Sequence, residues 1–476
     1  MSRIIFTVLI LTLICLFQTS NHSSAIVAAV NWHYEVTATP GGKELYVEAT
    51  FPPGLNPELS VYGSAEPYLK DAEILLEKGW QPLQQKGTSW FLPTSAKTRS
   101  YKVRYRYQLA QAAQAISNIE IARQSTDIIY APPSTWLLYP IYKGTPQKVT
   151  FRVKTPPNTT FVSGVFPSSN GEPDTYEVSS SSIYELSYSA FGKMRLHTIN
   201  LPGGKIDLAI APGNYTISDD QIIKWVTKAA NSVATYYARF PVRRTLVIVR
   251  ISGGQRIGYG SALGNSGAAV SISVGINARQ ADFDDDWVLT HELTHIAFPS
   301  VPRGKHAWLE EGMATYVEPV SRMRTGELSP EKVWGDMVDQ MPQGQPEYGD
   351  KGLDYTPSWG RTYWGGALFC LVADVEIRQK TKNRYGLEHA FRGIVAAGGT
   401  MNNDWDVIRT LSEGDKAVGV SVLIPLYNKM KATPVEVDLI GLWKRLGVEE
   451  RNNRIIFNDK APQADIRRAI TFGNKE

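Results

Sequence analysis

The stretch His291-Glu292-Leu293-Thr294-His295, followed by Trp308-Leu309-Glu310-Glu311-Gly312, governs the reading of the whole chain. On a helix the two histidines stand four residues apart, so their rings leave one face about one turn apart. Two imidazoles so placed reach one metal ion, and zinc takes nitrogen ligands at roughly 2.0–2.1 Å. Glu292 neighbours the first ligand, where a carboxylate can touch metal-activated water without ligating the metal. A catalytic zinc needs a third protein ligand and keeps one position open.

The flanks set the limits of the metal helix. Phe283-Asp284-Asp285-Asp286-Trp287 offers Asp284 as a cap and further acids that suit a helix N-terminus, while Pro299 and Pro302 close the helix near Phe298. A second helix is predicted over residues 307–322 and carries Glu310, Glu311 and Glu318. Glu311 shares a face with Thr315 and Glu318, whereas Glu310 shares one with Met313, Ala314 and Val317. An apolar stripe usually packs inward, which favours Glu311 as the third ligand and leaves Glu310 and His306 as rivals.

Upstream, Ser218-Asp219-Asp220 starts a helix predicted to end near Phe240, before Pro241. Residues 245–251 read as a buried strand, 253–267 as a loop rich in Gly and Ser, and 268–274 as a second strand. From about residue 30 to 213 the pattern is one of strands and turns. Segments 34–39 and 45–50 alternate around Pro40-Gly41-Gly42, which is a hairpin signal, and 101–108, 148–153, 184–188 and 205–210 are β-like. An antiparallel β domain is expected there, and its His33 and His197 have no metal-ligand spacing. Downstream of the site helices dominate to about Leu446, among them 363–380, and His389 reads as structural.

With 476 residues, 43% hydrophobic and 20% charged, the chain exceeds what one core supports. The expected division is a signal peptide over 1–25, a β-rich amino-terminal domain over 26–215, a zinc-binding catalytic domain over 216–330 and a helical carboxy-terminal part over 331–476. A net charge of +4, with no basic run interleaved with aromatics, argues against a nucleic-acid partner. Arg3 precedes an apolar run over 4–17, and small residues Ser23 and Ala25 follow a polar stretch, as in a secretory signal peptide. The run is short for a bilayer span. Export to a periplasmic or extracellular space is expected, without stable membrane insertion after cleavage; an uncleaved anchor is the alternative. Cys15 leaves with the signal, and Cys370, within the apolar run 367–372, reads as a core residue.

These motifs resemble the gluzincin metallopeptidases, and within them the aminopeptidase N, leukotriene A4 hydrolase and glycyl aminopeptidase group. That group pairs the two-histidine helix with a glutamate just before a glycine on the next helix, the place held by Glu311 before Gly312. It also has a tyrosine opening a later helix, which Tyr363-Trp364-Gly365-Gly366-Ala367-Leu368 matches, although Gly365 stands where lysine or arginine is common. The resemblance implies a multi-domain α+β chain with a thermolysin-like mixed catalytic domain and one Zn2+ ion on His291, His295 and Glu311. It further implies Glu292 as general base, Tyr363 as a donor to the developing oxyanion, and a peptide or protein substrate. Hydrolysis of a non-peptide bond, or peptide binding without turnover, is the alternative. The group's aminopeptidases hold the substrate's amino terminus with an acid from a Gly-x-Met-Glu-Asn-type loop. Residues 258–265 occupy that place with no carboxylate, and no Asp or Glu occurs between Gln221 and Ala281. The strand after the loop is expected to offer an edge for a peptide backbone.

Overall fold

The computed structural model of the protein describes residues 31–141, 145–452 and 454–473. The expected signal peptide lies outside the described residues. Among these, no helix is long and apolar enough to cross a membrane.

The alternating pattern of Trp32–Ala38 buries one side chain in two, and the strand pairs antiparallel with Leu45–Phe51, as the hairpin signal implied. These two strands are the centre of a seven-stranded sheet that also contains Leu69–Leu76, Gly79–Pro82, Tyr101–Tyr107, Lys148–Lys154 and Thr175–Ser179. Two four-stranded sheets complete the amino-terminal β architecture. One pairing departs from the antiparallel expectation: Lys148–Lys154 lies parallel to Trp32–Ala38. The chain between them is long enough to return in the same direction, which a hairpin cannot do. Residues 184–188, expected as a strand, run from the end of a series of turns through a bend into irregular chain, and the strand comes later at Ser189–Gly192.

The second core is built on a five-stranded mixed sheet. Its strands are β1 (Arg195–Leu201), β2 (Gly204–Ile210), β3 (Arg244–Ser252), β4 (Ile257–Leu263) and β5 (Ala269–Gly275), in the order β1-β2-β3-β5-β4. Strand β3 runs parallel to both neighbours and is buried on both faces, which explains its unbroken apolar run. The hairpin β1-β2, grouped by sequence with the preceding strands, is hydrogen-bonded into this sheet, and Ile206, Leu208 and Ile210 join its core.

The Gly- and Ser-rich segment expected as a loop contains β4. Weak strand formers are held there by antiparallel pairing with β5, with an irregularity between Ile257 and Gly260. Strand β4 is therefore the edge strand on this side of the sheet, while β5, expected to offer that edge, is paired on both sides.

One face of the sheet packs on helices α1 (Asp219–Tyr237), α2 (Val288–His295), α3 (Arg303–Arg324) and α4 (Gly366–Lys380) in a single large core. Ser218 and Gln221 form a reciprocal capping box at the start of α1. The other face meets Ile128, Tyr130, Tyr188 and Ala190 from the β-rich region, packed on Leu246, Ile248 and Ala269. Further helices follow to Leu446, then the hairpin Val448–Arg451 with Arg454–Phe457 and a last helix, Ala464–Phe472. Cys370 is buried in α4.

Candidate metal centre

Helix α2 begins later than the sequence suggested. Asp284 ends a short preceding helix, Gln280–Asp284, and Asp286 does the capping instead. Its carboxylate accepts the backbone N–H groups of Val288 and Leu289 at 3.1 Å each, and the Trp225 indole N–H at 3.0 Å. This ties the start of α2 to α1. Leu289 and Leu293 anchor the inner face of α2 in the core, and the opposite face presents the two imidazoles. Helix α3 starts at Arg303, just after Pro302, and presents Glu311 to them.

His291 Nε2 lies 3.3 Å and His295 Nε2 3.4 Å from Glu311 Oε2. All three candidate ligand atoms lie within 4.8 Å of one another, the only such gathering of His, Cys, Asp or Glu among the described residues. Donors at about 2.0–2.1 Å on a tetrahedral zinc are themselves about 3.3 Å apart, so this set fits the ion. The two rivals for the third place lie elsewhere. Glu310 accepts the Val301 N–H at 2.9 Å and the Arg303 Nε–H at 2.8 Å, which buries it at the start of its helix. His306 Nδ1 is 3.1 Å from Asp354, with the Trp308 indole donating to the same carboxylate. Glu318, further along α3, pairs with Arg322 at 2.8 Å.

The electrostatics follow from burial and from the three-way contact. Burial alone would raise the Glu311 carboxyl, but the His291 and His295 rings hold it well below the usual carboxylate range. Burial pulls His295 down, and the Glu311 carboxylate more than restores it, leaving the ring more basic than an ordinary histidine. Glu292 is shifted the other way. Its burial raises the carboxyl, Glu311 adds to the rise, and the two histidines oppose it.

Strand β4 runs directly over Glu292. A methyl group placed on Gly260 would come within 2.8 Å of Glu292 Cγ and 2.9 Å of Val288 Cγ1. Only glycine allows the edge strand this close, and a run of glycine and serine carries the local signal of a loop rather than of a strand. The Tyr363 ring lies 6.4 Å from the His291 ring and 5.8 Å from Trp359. Its segment, Arg361–Gly365, is a π-helical turn that runs into α4. Such a turn re-aims a side chain relative to the regular helix. Burial and the Glu311 and Glu292 carboxylates raise the Tyr363 hydroxyl above its ordinary value, so it stays protonated and able to donate. Beside His295 opens a cavity of about 530 Å³, walled by Ala262 and Asn265 at the end of β4 and by Glu185, Arg303 and Asp404. His33, His197 and His389 lie apart, bonded to Thr150, Asp219 and the Gly386 N–H respectively.

No family model and no curated protein matches the chain. Solved structures do. A structure of an aminopeptidase N family protein from Idiomarina loihiensis superposes with a TM-score of 0.64 at 14% identity, over 87% of this chain and 78% of that one. An M1 zinc metallopeptidase from Deinococcus radiodurans gives 0.52 at 13% identity, over 86% and 94%. A point mutant of the M1 zinc metallopeptidase from that organism, bound to a Tyr-Ser-Ala substrate, gives 0.50 at 13% identity, over 86% and 97%. The chain has the multi-domain α+β fold of the M1 zinc metallopeptidase structures, the fold that the resemblance implied.

Proposed function

We propose that the protein is an exported zinc metallopeptidase in which His291, His295 and Glu311 hold one ion and Glu292 is the general base. The observation that carries the reading is the spacing of the three ligand atoms, with Glu292 beside them under β4. Zinc bound there would lower the pKa of its water toward 7 and polarise a carbonyl. Glu292 takes the proton of the attacking water and passes it to the leaving amine. Its raised affinity for a proton, a result of burial, suits a group that must both accept and return one. Tyr363 donates to the oxyanion that develops on the carbonyl oxygen. The free edge of β4 pairs with the backbone of an extended peptide and lays it across the metal.

Export rests on the sequence of the leader, and the domain division rests on the composition shifts along the chain. Strand β4 carries no carboxylate for a substrate's amino terminus. In this reading Glu185 and Asp404, which wall the adjoining cavity together with Arg303, supply carboxylates instead.

The test is turnover of one peptide, amino-terminally free and blocked, by zinc-loaded protein. Stepwise cleavage of the free form alone identifies an aminopeptidase, and internal cleavage of both identifies an endopeptidase. Stoichiometric zinc with no cleavage of either moves the assignment to a non-peptide bond or to binding without turnover.

A further inference from the structure

The acid-free stretch between Gln221 and Ala281 includes all of β3, β4 and β5. In its middle, Arg250 leaves β3 on the face turned toward the β-rich region and lines a cavity of about 450 Å³ with Arg123, Tyr130, Ser252, Tyr259 and Ser273. Arg250 is only 8% exposed. Its Nε donates to Ser271 Oγ at 2.7 Å and its Nη2 to the Tyr259 carbonyl at 3.1 Å, and it meets no carboxylate among the described residues. A buried guanidinium ordinarily has a counter-ion. Here the second charge at the cavity is Arg123, also without an ion pair among the described residues, so like charges face each other. Tyr130 is 1% exposed and lines the same cavity, and its hydroxyl has no hydrogen-bond partner.

Two unpaired guanidiniums and one idle buried hydroxyl around a single cavity are complementary to an oxyanion. We propose that this cavity binds a carboxylate or phosphate group, with Arg250 and Arg123 as charged donors and the Tyr130 hydroxyl as a neutral one. Guanidinium groups match both anions with paired N–H donors. The site is distinct from the metal centre but joined to it through β4. Arg250 holds the carbonyl of Tyr259, and the next residue, Gly260, rests on Glu292. The anion comes either from the substrate, as a terminal or side-chain carboxylate, or from solution.

Inorganic phosphate is titrated into the full zinc-loaded chain at constant ionic strength, with binding followed by calorimetry. Saturable binding is expected, weakened at least about tenfold in Arg123→Gln and in Tyr130→Phe, since a hydrogen bond to a charged group is lost in each. Both substitutions leave the fold intact, one being at an exposed side chain and the other removing only the unpartnered hydroxyl. Absence of saturable binding, or equal affinity in wild type and both variants, as for phosphate on the metal, overturns the proposal. A peptide ending in a free carboxylate is then compared with its amide. A higher KM for the carboxylate form alone in Arg123→Gln, with kcat kept, assigns the site to the substrate. Unchanged KM beside weakened phosphate binding assigns it to a dissolved anion.

Discussion

Gly312 of α3 and Gly366 of α4 touch backbone to backbone. A methyl group on Gly312 would fall 2.2 Å from Gly366 Cα, and one on Gly366 would fall 2.0 Å from the Trp308 carbonyl oxygen. Glu311 precedes the first glycine, and Tyr363 lies one turn before the second, so this crossing sets how far the tyrosine stands from the proposed metal ligands.

Gly312→Ala should therefore separate the two helices without touching a ligand. Overpacking of this kind costs about 1–3 kcal/mol in stability. The expected outcome is a zinc stoichiometry like wild type with kcat reduced roughly tenfold or more, because misplacement of a catalytic group by even 1 Å is costly. Metal analysis alongside steady-state kinetics checks it.

Gly260→Ala acts on the opposite wall of the cleft. The added methyl collides with Glu292 Cγ and Val288 Cγ1. Turnover should fall on the order of a hundredfold with zinc retained, while Gly254→Ala, at a glycine whose added methyl would meet nothing, should lose stability only through its left-handed backbone. The ratio of the two activity losses is the readout.

Much of this site was legible in the chain. The pair His291 and His295 follows from helix geometry alone, because four residues make one turn wherever the helix sits. The preference for Glu311 over Glu310 follows from which helix face carries the apolar stripe, and the fold adds its counterpart: Glu310 turns to the Val301 N–H and Arg303. Strand β4 was hidden because Gly258, Gly260 and Ser261 have low strand propensity and are held by pairing with β5. The hairpin β1-β2 was assigned to the wrong neighbours since its parallel partner β3 lies beyond an intervening helix, a pairing that no local pattern encodes. Asp286 is one of three consecutive aspartates, and its bonds to the Val288 and Leu289 N–H groups and to the Trp225 indole, which no local pattern encodes, make it the cap.

Glu318 gives a pH dependence of known sign. Burial raises its carboxyl to about 7, against the pull of Arg322, from an ordinary value of 4.5. A carboxyl raised in the folded state favours the fold while protonated, so this contribution is complete below about 4.5 and is lost as the pH rises through about 7. The loss is on the order of 3 kcal/mol if the unfolded group is ordinary. Denaturant unfolding at pH 5 and pH 8 should show a smaller difference in Glu318→Gln than in wild type.

Zinc should bind the folded chain and not the unfolded one, because its ligands come from two helices. At a hundredfold excess over its Kd the ion should stabilise the fold by about 2.7 kcal/mol. Chelation should remove that gain, and His295→Ala should show none.

The most direct test of the account compares wild type with Glu292→Gln, measuring zinc content and peptide turnover on the same preparations. One zinc per chain is expected in both proteins, with a loss of turnover of about a hundredfold to ten-thousandfold in the variant. A variant that cleaves like wild type, or a wild-type protein that binds no zinc, would contradict it.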